Sequence, residues 1–271
     1  MREHSSVRID GRKIAYDEVS PAESRGTILL LTGLGSKRLG WARQLEAFGQ
    51  HYRTIALDHR DTGDSDPVGD PYTIGDLADD AAAVLRALGV ERAHVIGISL
   101  GGFVALQVAL RHPELVDKLV LVATSAGGET HVPPGPEMIE MLSRREPGLE
   151  IGEAARRNYT RIMAPGYAER HPEELDRVAE VARYRPQSQE AYFRQLGAAQ
   201  GHDATAGLDR IAAPTLVIHG EVDPLVRPEN GRNLARRIRG AKLITYPDVG
   251  HIPIVEVADR FNRDVLAFLE S

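Results

Sequence analysis

Cysteine is absent from the chain. That excludes disulfides, a thiol nucleophile and thiolate metal sites, without fixing the redox compartment. Long apolar runs are missing too: the longest have the length of a strand, and the opening Met1-Arg2-Glu3-His4-Ser5-Ser6 lacks the apolar core of a signal peptide. The expectation is a cytoplasmic protein with no membrane partner. No sustained basic tract surrounds the arginine pairs at 144 and 145, 156 and 157, or 236 and 237, so they read as solvated helix faces. Nucleic acid is not an expected partner. No repeat or Walker pattern occurs, and Gly33-Leu34-Gly35 is too short for a dinucleotide fingerprint.

What remains is an ordinary globular composition. With 42% hydrophobic and 27% charged residues and a formal net charge of −6, the surface should be mildly acidic. A length of 271 residues suits one large α/β domain or a core carrying an inserted subdomain, and does not choose between a monomer and a homodimer.

The order of elements argues for a mostly parallel sheet covered on both faces. Val7 to Tyr16 alternates around Asp10-Gly11, a favourable hairpin turn. Residues 27–32, 53–58, 93–97, 118–123, 214–220 and 241–246 read as short buried strands. Helices are expected over 39–49, 73–88 and 100–110, and the last, following Pro253, runs to about residue 269. Strand and helix alternate, as in an α/β fold. From Ala126 to Leu208 no strand is expected, only helices over 136–146, 151–163, 172–183 and 188–201. The chain therefore divides into a core of residues 1–125 and 209–271 and a helical lid over 126–208.

The most informative segment is Gly97-Ile98-Ser99-Leu100-Gly101, with a strand before it and a helix after it. A turn this sharp needs small neighbours, and it lifts a serine hydroxyl above the sheet while aiming the next backbone N–H at the same space. Ser99 is the candidate nucleophile. A serine needs a base, and the base needs an orienting acid, near the C-terminal ends of other strands. His251 follows the strand at 241–246, and Asp223 follows the strand at 214–220, with Glu221 and Asp248 as competing acids. Negative charge developing on a carbonyl oxygen needs two fixed donors, for which the N–H groups of Leu34 and Leu100 are the candidates. No metal or organic cofactor is required by this set.

These residues, in the order Ser99, Asp223, His251, together with the loop at 32–36, resemble the α/β-hydrolase superfamily, specifically its small lid-bearing esterases, enol-lactonases and carbon–carbon hydrolases. The resemblance covers residues 7–125 and 209–270. Asp58-His59-Arg60-Asp61-Thr62-Gly63-Asp64-Ser65 is similar to the family's Asp-x-Arg-Gly-x-Gly-x-Ser loop, with Asp61 in place of the first glycine, and to the corresponding loop of polyketide methylesterases of the aclacinomycin type. Thr32 stands where many relatives carry histidine. A serine at the elbow, rather than aspartate, argues against dehalogenases and epoxide hydrolases. The resemblance implies a hydrolase acting on a small-molecule carboxylic ester or lactone, with carbon–carbon cleavage or cofactor-free perhydrolysis as the alternative. Asp58 and Arg60 are expected to organise their loop. Met138, Met141, Met163, Tyr159, Tyr167, Tyr184 and Tyr192 are expected to form the lid's own core, with at least one or two reaching substrate.

Overall fold

The computed structural model describes residues 3–144 and 148–271, so the last predicted residues of the 136–146 helix lie outside the described residues. Eight strands form one sheet in the order β1-β2-β4-β3-β5-β6-β7-β8. The hairpin β1 (Glu3–Ile9) and β2 (Arg12–Val19) runs antiparallel at one edge, and β2 pairs antiparallel with β4 (Arg53–Leu57). The others, β3 (Thr27–Leu31), β5 (Ala93–Ile98), β6 (Val116–Val122), β7 (Thr215–Gly220) and β8 (Lys242–Tyr246), pair in parallel.

Alternating side chains of each central strand enter different cores, which explains why these strands are apolar throughout. Leu29, Leu31, Val95, Leu119, Leu121 and Val217 face one side, against α2 (Ile74–Ala87) and α3 (Leu100–Arg111). Ile28, Leu30, Ile96, Val120, Leu216 and Ile218 face the other, against α1 (Ala42–Phe48) and the C-terminal helix. Helix α2 starts where its sequence says it should: Thr73 and Asp76 form a reciprocal capping box, and Gly89, at φ 68°, follows its end.

Between β6 and β7 the chain forms α4 (Pro136–Ser143), α5 (Ile151–Ile162), the single turn α6 (Tyr167–Arg170), α7 (Pro172–Arg183) and α8 (Gln189–Gln200). Helix α9 (Pro228–Arg237) then joins β7 to β8. The C-terminal helix differs from expectation. It is split into α10 (Pro253–Glu256) and α11 (Ala258–Glu270), because Val257 leaves helical geometry at φ −139°, ψ 44°. Among the described residues no helix is long and apolar enough to cross a membrane.

Candidate active site

The parallel strands all end on one edge of the sheet, and the predicted site residues come from four loops on that edge. Ser99 follows β5, the strand flanked by β3 and β6, and takes φ 54°, ψ −121°. A non-glycine residue in this sparsely populated region costs about 1–3 kcal/mol and persists only where its surroundings enforce it. They do so here. The Ser99 N–H donates to the Val122 carbonyl at 2.9 Å, and the buried Thr124 hydroxyl donates to the Ser99 carbonyl at 2.8 Å. The glycines on either side are demanded by contact, since a Cβ at Gly97 would lie 2.1 Å from the Gly101 carbonyl oxygen, and one at Gly101 2.1 Å from that of Leu31.

Asp223 and His251 meet. His251 Nδ1 lies 2.7 Å from Asp223 Oδ2, with both side chains buried. The other carboxylate oxygen accepts the N–H groups of Leu225 and Val226 at 2.8 and 2.9 Å, which fixes the acid's orientation. His219, fully buried, lies 3.4 Å from Oδ2 and bonds through the same Nε2 with the Val226 carbonyl at 2.7 Å. Burial alone would raise the Asp223 carboxyl, but the charge of His251 and the hydrogen bonds from His219 and His251 outweigh it and hold it below the ordinary carboxylate value. The competing acids are placed elsewhere: Glu221 is paired with Arg232, and Asp248 is exposed in a left-handed turn at φ 55°.

Ser99, His251, Leu34 and Leu100 line one cavity of about 1290 Å³ roofed by α4, α5, α7 and α8. Leu100 is the first residue of α3, where a backbone N–H has no partner within its helix. Leu34 sits in the turn closed by Ser36 N–H to the Gly33 carbonyl at 3.1 Å, and the next N–H, of Gly35, donates to Gln195 of α8 at 2.8 Å. Met141, Tyr159 and Tyr192 of the roof line the cavity, whereas Met138 and Met163 are buried in packing. Tyr167 reaches the Val255 carbonyl at 3.3 Å, and Tyr184 bonds to Asp64. Arg60 is spent on Asp80 at 2.7 Å, as suits an organiser of its loop.

That loop closes around Arg38, a residue of the 3-10 turn at 38–41 that the sequence reading missed. Its buried guanidinium donates to Asp17 at 2.8 Å, to Asp58 and to Asp64 at 2.8 Å, and its backbone N–H to Asp58 at 2.7 Å. Burial alone would lower its pKa, but the charge of Asp58 and the hydrogen bonds Arg38 donates to Asp17 and Asp64 outweigh this and hold it above its ordinary value. Asp61, which replaces the loop's usual glycine, keeps the left-handed geometry at φ 67° and adds something a glycine lacks: a two-pronged ion pair with Arg194 of α8, both bonds 3.0 Å.

A parallel sheet with a serine elbow and an acid–histidine pair on its C-terminal edge defines an α/β hydrolase. The family model for the alpha/beta hydrolase fold matches residues 26–150, and one described as a TAP-like protein matches residues 187–271. The chain is 32% identical over 277 residues to the protein named "Putative carbamate hydrolase RutD" from Caulobacter sp. (strain K31), covering 98% of both. A solved hydrolase from Pseudomonas aeruginosa PA01 superposes with a TM-score of 0.85 at 31% identity, covering 99% of this chain and 98% of that one. The enol-lactonase from Burkholderia xenovorans LB400 superposes with a TM-score of 0.85 at 28% identity, covering 98% and 100%. The chain belongs to the α/β-hydrolase family, and its class of chemistry is hydrolytic.

Proposed function

We propose that the protein is a serine hydrolase that cleaves a small or medium-sized carboxylic ester or lactone through an acyl-enzyme, beneath a lid formed by residues 126–208. The observation that carries this reading is the 2.7 Å Asp223–His251 bond, opening on the same cavity as the strained Ser99 elbow. Asp223 accepts the Nδ1 proton of His251 and so presents Nε2 as the base. His251 removes the Ser99 proton, Ser99 Oγ attacks the carbonyl carbon, and the N–H groups of Leu34 and Leu100 hold the oxyanion. His251 then protonates the departing oxygen. Water, deprotonated by the same histidine, attacks the acyl-enzyme and restores Ser99.

A carbamate carbonyl is open to the same attack, and the name of the 32% identical relative makes it a worthwhile substrate beside esters and lactones. The test is intact-protein mass after a fluorophosphonate, in wild type and Ser99→Ala, alongside turnover of short-chain and aromatic esters, lactones and carbamates. One adduct, lost together with turnover in the variant, is the expected result. Turnover confined to a ring-fission diketone, or peracid formation from acetate and peroxide, would overturn the ester reading. Undiminished labelling of the variant would overturn the serine.

A further inference from the structure

Three consecutive backbone N–H groups surround the proposed base, and all three are committed. Gly250 donates to Glu256 Oε2 at 2.9 Å and Ile252 to Glu256 Oε1 at 3.0 Å, so one carboxylate grips the loop on both sides of His251. The N–H of His251 itself goes to the carbonyl of Ile162, the last residue of α5, at 2.8 Å. Glu256 Oε2 also accepts the N–H of Ala164, just beyond α5, at 2.8 Å. The two backbones are pressed together here, since a Cβ on Gly250 would meet the Ile162 carbonyl oxygen at 2.5 Å and the Ala164 nitrogen at 2.6 Å.

We propose that Glu256 is a positioning residue for His251: it sets the height and tilt of the imidazole and clamps the base loop to the end of α5, so that the roof helps place the base as well as covering it. This rests on the reading of His251 as the base. Three N–H donors converging on two oxygens require a group with acceptors on both arms, which only a carboxylate supplies. Glutamine would turn its amide nitrogen toward one N–H and keep the remaining arm. Leucine would keep neither. A reacting group displaced by about 1 Å can lose on the order of a hundredfold in rate, so the clamp need move the ring little to matter.

The experiment compares wild type, Glu256→Gln, Glu256→Leu and His251→Ala in the full-length protein. It reads the rate constant and the final stoichiometry of Ser99 labelling by a small fluorophosphonate, and kcat per titrated serine with p-nitrophenyl acetate. The expected result for Glu256→Leu is full stoichiometry, a rate constant and kcat lower by about thirty- to a hundredfold, and KM within about twofold. Glu256→Gln should recover most of that, losing about three- to tenfold. A purely structural role would lower stoichiometry and leave the rate constant of the surviving sites at the wild-type value, which overturns the proposal. Should Glu256→Leu fail to fold, a wild-type rate constant in Glu256→Gln overturns it equally. If His251→Ala labels and turns over normally, the reading of the base falls and the proposal with it. If His251→Ala is inert while both Glu256 variants label at the wild-type rate, only the proposal falls.

Discussion

Thr124, on the sheet side of the cavity, is fully buried and gives its hydroxyl to the Ser99 carbonyl at 2.8 Å. Tyr184, on the helical side, is 40% exposed and gives its hydroxyl to Asp64 at 2.5 Å. The contrast is general. Sheet-side residues are set by strand pairing, glycine contacts and burial on two faces, so the proposed reacting atoms inherit the rigidity of the sheet. The roof is fastened by side chains: Lys37 to the carbonyls of Val181 and Ala182 at 2.9 and 3.4 Å, Gln195 to Gly35, and Arg194 to Asp61. On the proposed reading the sheet sets the chemistry and the roof sets access, and the two meet where Gln195 takes the Gly35 N–H and where Glu256 grips the end of α5.

The sharpest break in this comparison is Ser99→Ala, expected to lower ester turnover by at least about a hundredfold with the fold intact. Circular dichroism and steady-state kinetics check it, and near-full activity would refute the assignment. Arg38→Leu comes next, because it removes the guanidinium shared by Asp17, Asp58 and Asp64 and leaves the fully buried Asp58 carboxylate with only the backbone N–H groups of Arg38 and Asp64. The expected loss is about 3–5 kcal/mol in a urea titration. A loss below about 1 kcal/mol would mean that Arg38 behaves as a surface charge.

Acidification should act on both halves. Burial pushes His59, in the loop at 58–65, down to about 4, against the smaller pull of the Thr32 carbonyl. Burial likewise pushes His202, beyond α8, down to about 4, against Asp203. Between pH 6.5 and about 4 the unfolded chain binds protons that the folded chain refuses, so stability falls as pH falls through that window. Each histidine contributes on the order of 3 kcal/mol. Asp223, whose carboxyl is depressed, adds a further loss below its ordinary value of 3.8. Melting temperatures of His59→Asn and His202→Asn across this range should each decline less steeply than wild type, and parallel curves would refute the assignment.

The smallest stability effect is expected for Asp61→Gly. It removes the Arg194 pair and a bond from the Val68 N–H, yet relieves a left-handed φ of 67°. Stability should stay within about 1 kcal/mol, with the change appearing in KM rather than kcat. A selective loss of kcat would show that α8 also helps place reacting groups.

The sheet and the serine elbow were legible in the sequence because their signals are local: apolar runs of strand length, and glycines within two residues of Ser99. Asp223 and His251 were legible by position at strand ends, and their contact could be inferred though not measured. Arg38 was not legible. Beside Lys37 it reads as a surface charge, and its partners Asp17, Asp58 and Asp64 lie on other elements. Asp61 read as a departure from the family pattern, and its reason lies 133 residues away in Arg194. The split of the last helix escaped notice for a similar reason: nothing in the local pattern marks Val257 as leaving helical geometry, and the neighbouring Glu256 spends its carboxylate on Gly250, Ile252 and Ala164.

The seam between roof and sheet also ties the cavity to the ionic strength outside it. Arg185, whose side chain is 70% exposed, meets Asp64 at 3.2 Å where dissolved ions can reach both. At about 1 M salt, with a screening length of about 3 Å, such a pair is largely neutralised while the Thr124–Ser99 bond is untouched. The same molecule should therefore be a looser vessel in brine than in dilute buffer, with the sheet side of its cavity unchanged.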